Sequence, residues 1–246
     1  RVDTVYEGAP STRSRTLEAL LAEFRSVFEG QPYLHRKSTT GDRVAGYLYE
    51  DLYSLGRSPK ITLGIDQHRL VLNTLNRIIG KVGRRGDGTF GERVPSAVAK
   101  PQVGMKVLQG PVAEMQIGAE VKIMSTKMIA QIDRVMGDLQ KQADVFRSQN
   151  KRALRVALVG VNHAEEYTGY EGTRVHVAKF PPAREAPEVV RRLLQFVKPS
   201  YDELFVLQFK ATNQAPFAFE WVDEQATRNA YSSALIRLSN EYEQRF

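Results

Sequence analysis

The stretch from Val103 to Val161 constrains the fold more than any other part of the chain. Residues 103–124, VGMKVLQGPVAEMQIGAEVKIM, are rich in β-branched and aliphatic residues and are divided by glycines, which predicts two or three strands. Apolar residues then recur at helical spacing from about Ser125 to Phe146, so a long amphipathic helix is expected. The next segment, ALRVALVGV, is an almost unbroken apolar run, typical of a strand covered on both faces. This succession predicts helices packed on a central sheet.

The flanking sequence predicts further helices and strands. Helices are expected over residues 16–30, over residues 42–56 and from Asp66 to Val82, so the first third is mostly helical. After residue 161 we expect a helix from about Pro187 to Val197, strands at ELFVLQF and APFAFEWV, and a closing helix. The predicted fold class is therefore α/β (α+β), with a central mixed sheet flanked by helices. A helical region, residues 1–94, would pack on an α/β core, residues 95–246, within one compact domain.

Charge and composition narrow the classes of partner. The chain of 246 residues has a net charge of +7, which favours a polyanionic partner such as nucleic acid. There is no cysteine, so disulfides and thiolate metal sites are excluded, and a reducing compartment such as the cytoplasm is expected. No apolar run approaches the ~20 residues that cross a bilayer, so no membrane partner is expected.

The segment GAEVKIM, residues 118–124, places an acid and a lysine on the strand before the long helix. Because side chains alternate along a strand, Glu120 and Lys122 project from the same face. Two charges on an inner strand are costly unless they have a function. The carboxylate would hold a divalent cation, and the lysine would orient water or stabilise charge on a phosphate. The alternative is an ordinary salt bridge on the exposed face of an edge strand.

Residues 45 to 165 resemble the PD-(D/E)XK nuclease superfamily, to which many type II restriction endonucleases belong. The resemblance rests on Glu120-Val121-Lys122 in a strand, on the preceding strand hairpin, on the long helix that follows, and on the apolar strand RVALVGV. It implies a restriction-endonuclease-like core in which Glu120 is a metal ligand and Lys122 is the catalytic lysine. It also implies Mg²⁺-dependent cleavage of DNA phosphodiesters.

The family pattern requires a second acid upstream, and no clean Pro-Asp pair is present. Glu114 is favoured as this metal ligand, although it lies only six residues before Glu120 and would be about 20 Å away on a straight strand. A bend near Gly118 is needed to bring the two together. Asp87, in a glycine-rich segment, is the alternative metal ligand. Glu50 is a candidate accessory acid, because helices before the core of this family often carry one; a solvent-facing glutamate is the alternative.

Candidate DNA contacts lie in basic and polar segments. KVGRRGDGTFGER, residues 81–93, is basic and rich in glycine, which indicates either a phosphate-contacting loop or a solvated one. KATNQ, residues 210–214, offers side chains that pair with base edges. The predicted DNA-binding residues are Arg84, Arg85, Arg93, Lys127, Lys210, Asn213 and Gln214. Gln131 and Arg134, on the polar side of the long helix, either reach DNA or are simply solvated. Phe217, Phe219 and Trp221 share a strand face and are expected in the core rather than stacked on bases.

These features predict an Mg²⁺-dependent endonuclease that hydrolyses double-stranded DNA as a type II restriction enzyme does. A homodimer is expected from the resemblance alone, since twofold symmetry matches a palindromic site. Two alternatives stay open. One is a nuclease of the same superfamily acting in repair, recombination or transposition, and the other is a basic DNA-binding module without catalytic activity.

Overall fold

The computed structural model describes residues 18–34, 39–73, 86–171 and 174–246. Within these ranges the helices are α1 (Ala19–Ser26), α2 (Thr39–Leu55), α3 (Pro59–Asp66), α4 (Met128–Gln149), α5 (Pro182–Arg192) and α6 (Glu224–Arg245). The strands are β1 (Leu70–Asn73), β2 (Gly88–Arg93), β3 (Gln109–Gly110), β4 (Val112–Met124), β5 (Leu154–Asn162), β6 (Thr168–Glu171), β7 (Arg174–Val177), β8 (Glu203–Lys210) and β9 (Glu220–Trp221). A π-helical turn, Leu193–Val197, and a 3₁₀ turn, Lys198–Ser200, extend α5.

Seven strands form one mixed sheet in the order β3-β1-β2-β4-β5-β8-β9. The central strands β4, β5 and β8 are parallel, whereas β2 pairs antiparallel with both β1 and β4. Strands β6 and β7 form a separate two-stranded sheet. The predicted α/β fold, a central mixed sheet flanked by helices, is confirmed, as is the succession of β4, the long helix α4 and the apolar strand β5.

The sheet separates two hydrophobic cores, because successive side chains on its strands point to opposite faces. On one face, Ile117, Ala119 and Val121 of β4 belong to the core that α1, α2, α3 and α6 cover. On the other face, Met124 of β4 and Val159 of β5 pack against α4 and α5. Glu120 and Lys122 alternate along β4 with the residues of the first core, so they point towards the face covered by α4.

The chain departs from the sequence-based prediction after Asp66. The helix expected from Asp66 to Val82 is wrong at its start: Asp66 ends α3, and Leu70–Asn73 forms β1. All four residues of β1 are buried, and pairing with β2 and β3 stabilises the extended backbone over the helical periodicity. The predicted helical region therefore contributes β1 and β2 to the same sheet as the rest of the chain.

Two later elements also differ in their bounds. Helix α5 begins at Pro182, so Pro187 lies inside the helix and not in its first turn as predicted. Of the segment APFAFEWV, only Glu220–Trp221 pairs as a strand. Phe219 is buried in the core and Trp221 packs against it, as expected for core aromatics. No helix in the described ranges is long and apolar enough to cross a membrane.

Candidate active site

Glu120 and Lys122 lie together on an interior strand. Strand β4 runs between β2 and β5, and Glu120 to Lys122 pair with β5 just beyond the last residue of β4 that pairs with β2. The Lys122 Nζ donates a hydrogen bond of 2.7 Å to Glu120 Oε1. Glu120 is only 8% exposed. Burial lowers the pKa of Lys122, but the carboxylates of Glu120, Asp87 and Asp138 outweigh it and hold this pKa above its usual range. The lysine is therefore a stable ammonium group.

Asp87 supplies a second carboxylate beside this pair. It directly precedes β2, whose first residue pairs with Ala119, and its amide donates to the Ala119 carbonyl at 3.1 Å. Its side chain then accepts a hydrogen bond of 2.8 Å from the Val121 amide. Strand β4 continues past the end of its pairing with β2, and the Asp87 carboxyl occupies the edge that is left there.

Burial and the charge of Glu120 act together on the carboxyl group of Asp87. Burial raises the pKa of Asp87 first, and the negative charges of Glu120 and Asp42 raise it further. A hydrogen bond from Val121 and the ammonium of Lys122 oppose this rise, and the pKa of Asp87 reaches about 7. Two adjacent carboxyl groups with one ammonium group are an arrangement that a divalent cation would stabilise.

Glu114 does not share this site, so its prediction as the metal ligand beside Glu120 is wrong. Strand β4 runs without a turn from Val112 to Met124, and Gly118 pairs with Thr89 on one side instead of bending the chain. Glu114 lies opposite Glu92 and accepts a hydrogen bond of 3.1 Å from Asn150 Nδ2. The alternative acid Asp87 reaches Glu120 across the hairpin because antiparallel pairing of β2 with β4 brings its backbone opposite.

Glu50 lies on α2, as predicted, and it is not the solvent-facing glutamate that was considered as the alternative. The side chain is buried, and Oε1 accepts hydrogen bonds from the amides of Lys106 and Val107 at 2.8 and 2.7 Å. Glu50 therefore anchors the segment before β3. The acid of α2 that acts on Asp87 is Asp42, in the first turn, which no pattern in the sequence indicates.

The predicted DNA-binding residues have different environments. Asn213 is 2% exposed, accepts a hydrogen bond from the Tyr33 amide and donates to the Thr168 carbonyl, so its prediction as a base contact is wrong. The Arg93 side chain donates to the carbonyls of His68 and Ala97, so it stabilises the loops beside β2. Gln214 is half-buried and bonds Thr168 Oγ1. Lys127 and Lys210 are exposed, and Arg84 and Arg85 lie outside the described residues.

A groove of about 210 Å³ opens beside Lys122, between the end of β4 and the start of α4. Gln131, Arg134 and Asp138 of α4 line it, together with Tyr33 and residues 122–126. Arg134 is exposed there, so the groove joins the site to a cationic side chain. We call it the Lys122 groove. Gln131, Arg134 and Asp138 are therefore the polar residues of α4 that share a groove with Lys122.

The donor set suits a hard divalent cation. In the described part of the chain, no group of three or more His, Cys, Asp or Glu side chains is arranged to hold a metal. Asp87 and Glu120 provide two carboxylates, and Mg²⁺ typically takes one or two protein carboxylates and keeps several waters. The residues present therefore fit Mg²⁺ with water and substrate oxygens completing its coordination.

No model of a known protein family matches the chain, and a search of curated proteins gives no significant match. The assignment of function therefore depends on the geometry of Asp87, Glu120 and Lys122.

Proposed function

We propose that the protein is an Mg²⁺-dependent endonuclease that hydrolyses phosphodiester bonds in double-stranded DNA, in the manner of a PD-(D/E)XK type II restriction enzyme. One observation carries the proposal. Asp87 bonds the edge of β4 at Val121, directly beside a buried Glu120 that is hydrogen-bonded to Lys122. An upstream acid that joins the acid-x-lysine strand is the arrangement that the resemblance implies.

Asp87 and Glu120 would hold the cation, which supplies Lewis-acid stabilisation of charge on the phosphate and on the leaving oxygen. Lys122 acts as a hydrogen-bond donor because its raised pKa keeps it protonated. Its ammonium group orients the attacking water and stabilises the additional negative charge on phosphorus. The water oxygen bonds to phosphorus in line, the bond from phosphorus to the leaving oxygen breaks, and the water releases its proton to solvent.

Single substitutions at the three site residues test the chemistry. Supercoiled plasmid is incubated in Mg²⁺ with the wild-type chain and with Asp87→Asn, Glu120→Gln and Lys122→Met. Each variant is expected to cut at least about 100-fold more slowly, since it removes a ligand or donor that stabilises the transition state. Glu114→Gln is the matched control, because Glu114 is an acid of the same strand outside the site, and its rate is expected to stay within about threefold.

A measurement of DNA binding distinguishes a variant that has lost catalysis from one that has lost affinity for its substrate. Fluorescence anisotropy with a labelled duplex in Ca²⁺ is expected to show that Lys122→Met retains most of its affinity. Defined fragments from the plasmid support the restriction-like form of the proposal, and progressive exonucleolytic decay contradicts that form. Binding of DNA by the wild-type chain without any cutting in Mg²⁺ would leave only a basic DNA-binding module.

A homodimer belongs to the same proposal, because a palindromic duplex presents two equivalent strands for cleavage. Sedimentation velocity of the chain with a short duplex in Ca²⁺ measures this directly. Two chains per duplex are expected, and one chain per duplex contradicts the twofold arrangement.

A further inference from the structure

A second groove, of about 370 Å³, borders Asp87 and is separate from the Lys122 groove. It lies between the start of α2, the end of β1 and the segment that precedes β3. Six of its lining residues matter here, and we call their site the Asp87 groove: Asp42, Leu72, Asp87, Gln102, Met105 and Gln109. Its volume falls within the range of small-molecule sites.

Gln102, one of the residues that line this groove, has an unpaired side-chain donor. Its Nε2 is shielded from solvent and makes no hydrogen bond within the part of the chain that the structure describes. Buried amide groups are normally hydrogen-bonded, since leaving one unpaired is unfavourable. A donor in this state at the lining of a groove indicates a ligand atom that accepts its hydrogen.

The same groove has an apolar side. Leu72 is buried at the end of β1, and Met105 reaches α2, where its Cε would lie 3.1 Å from a Cβ placed on Gly46. A glycine here lets the methionine approach the helix closely. Leu72 and Met105 therefore provide an apolar surface beside the amide groups of Gln102 and Gln109.

Charge decides which kind of ligand fits. The carboxyl groups of Asp42 and Asp87 line the groove, so a phosphate would be repelled. Arg43, which also lines it, forms an ion pair with Glu23. A neutral planar ring with donors and acceptors on its edge matches the amides, the carboxylates and the apolar side. A nucleobase has this chemistry.

We propose that the Asp87 groove binds a nucleobase of the DNA strand next to the cleaved phosphodiester, with the Gln102 amide hydrogen-bonded to the base edge. The inference rests on the proposed function, because Asp87 links the groove to the site. A glutamine amide pairs best with adenine, by accepting from N6 and donating to N7. Glu50 fixes the backbone at Lys106 and Val107, just after Met105, which holds this side of the groove in place.

Selection from a random duplex pool in Ca²⁺, followed by sequencing, tests the inference without any need for cutting. The wild-type chain is expected to enrich a motif with a strong adenine preference at one position. Gln102→Ala should lower that preference about tenfold or more and leave the other positions unchanged. Gln225→Ala, a matched substitution of an exposed glutamine on α6, should reproduce the wild-type motif.

Gln102→Glu provides a second, directional readout that a simple folding defect does not produce. A carboxylate accepts from N4 of cytosine, so the preference at the same position should move from adenine to cytosine. The inference is overturned if the wild-type chain enriches no motif, or if both Gln102 variants enrich the wild-type motif with equal strength.

Plasmid cutting in Mg²⁺ is measured in parallel, so the two proposals fail separately. Cutting with an unchanged motif in the Gln102 variants overturns the nucleobase groove alone. A motif that changes with Gln102 in a chain that never cuts supports the groove and overturns the nuclease.

Discussion

Asp87 makes folding stability and metal binding depend on pH in opposite directions. In the metal-free chain its pKa is raised to about 7 from an ordinary value of 3.8, chiefly by burial and then by Glu120. Between these two values the folded chain binds a proton that the unfolded chain has released. The contribution of Asp87 to stability is therefore lost as pH rises through this window and is constant above about pH 7.

Asp87→Asn should consequently stabilise the metal-free chain, and more so at higher pH. Asparagine keeps an oxygen to accept the Val121 amide but has no charge to bury. We expect its advantage in free energy of unfolding to increase by more than about 1 kcal/mol between pH 5 and pH 8. Urea denaturation in EDTA measures this at both pH values.

Adding Mg²⁺ at pH 8 is the control for the Asp87 prediction. The cation should stabilise the wild-type chain, because it binds the folded form, and should have little effect on Asp87→Asn. An advantage for the variant that is the same at pH 5 and pH 8 would contradict the raised pKa of Asp87.

The residues of the site differ in how far the sequence predicts them. Glu120 and Lys122 follow from period-two alternation on one strand, which is a local property. Asp87 does not, because its place depends on the register of β2 with β4, a contact between residues more than 30 apart in the chain. The signal that was present is an acid directly before a short strand, but its basic, glycine-rich surroundings indicate a loop. Asn213 shows the converse, since a polar loop sequence does not reveal burial.

At the scale of elements, one buried carboxylate connects three helices. Asp51 of α2 accepts hydrogen bonds of 2.9 Å from the amides of Ala19 and Leu20, at the start of α1, and one of 2.6 Å from the Tyr231 hydroxyl of α6. Glu18, the residue before α1, makes no capping bond of its own. Asp51 therefore caps α1 from a neighbouring helix and satisfies amides that would otherwise be unpaired.

Asp51→Ala should lower the free energy of unfolding by about 3 kcal/mol, because two amides and one buried hydroxyl lose their acceptor at once. Asp144→Ala, at an exposed position of α4, should change it by less than about 0.5 kcal/mol. Urea denaturation at pH 7 compares the two. Equal effects would show that Asp51 is not the cap of α1.

Two glycines should respond in opposite directions to alanine. A Cβ on Gly91 of β2 would lie 2.0 Å from the Glu114 carbonyl oxygen, a backbone atom that cannot move without breaking the pairing with β4. A Cβ on Gly137 of α4 would meet no atom within 4 Å. Thermal unfolding should show a loss of several kcal/mol for Gly91→Ala and a gain of about 0.5–1 kcal/mol for Gly137→Ala. A stable Gly91→Ala variant would contradict the register of β2 with β4.

Elements were predictable where local pattern and burial agree. The helix α4 and the strand β5 have a strong period or an unbroken apolar run, and both appear close to the expected residues. The segment after Asp66 has apolar residues at helical spacing, yet Leu70–Asn73 pairs with β2 and β3 as a buried strand. Strand pairing over such separations leaves no local signal, so tertiary contacts overrule the periodicity.

At the scale of the whole molecule, the sheet separates Glu120 and Lys122 from the core that α1, α2, α3 and α6 cover. The alternation that sends Ile117, Ala119 and Val121 into one core directs Glu120 and Lys122 to the opposite face. Strand β2 begins opposite Ala119, so among the described residues β4 has no strand partner on this side at Glu120 to Lys122. Asp87 lines one groove and Lys122 lines the other. Lys122 and Arg134 line the Lys122 groove, whereas Gln102 and Gln109 line the Asp87 groove. A DNA strand bound between the two grooves would have its phosphate at the Lys122 groove and its base in the Asp87 groove.

The net charge of +7 predicts how affinity for DNA responds to salt. Each phosphate neutralised by a basic side chain releases condensed counterions, so the affinity falls as a power of the salt concentration. For about four to six such contacts, raising NaCl from 50 to 200 mM at constant Ca²⁺ should weaken duplex binding roughly 10²- to 10³-fold. Fluorescence anisotropy across this range gives the slope of log affinity against log salt.

Arg134 tests whether these contacts lie at the Lys122 groove. Arg134→Gln should reduce the magnitude of the slope by about one, because one phosphate contact is lost. Arg228→Gln is the matched control, since Arg228 lies on α6 and is paired with Glu18 and Glu224. Its slope should equal that of the wild-type chain. An unchanged slope in Arg134→Gln would place the bound duplex elsewhere on the molecule. If Arg134 contacts a phosphate, its removal must reduce the number of counterions that DNA binding releases.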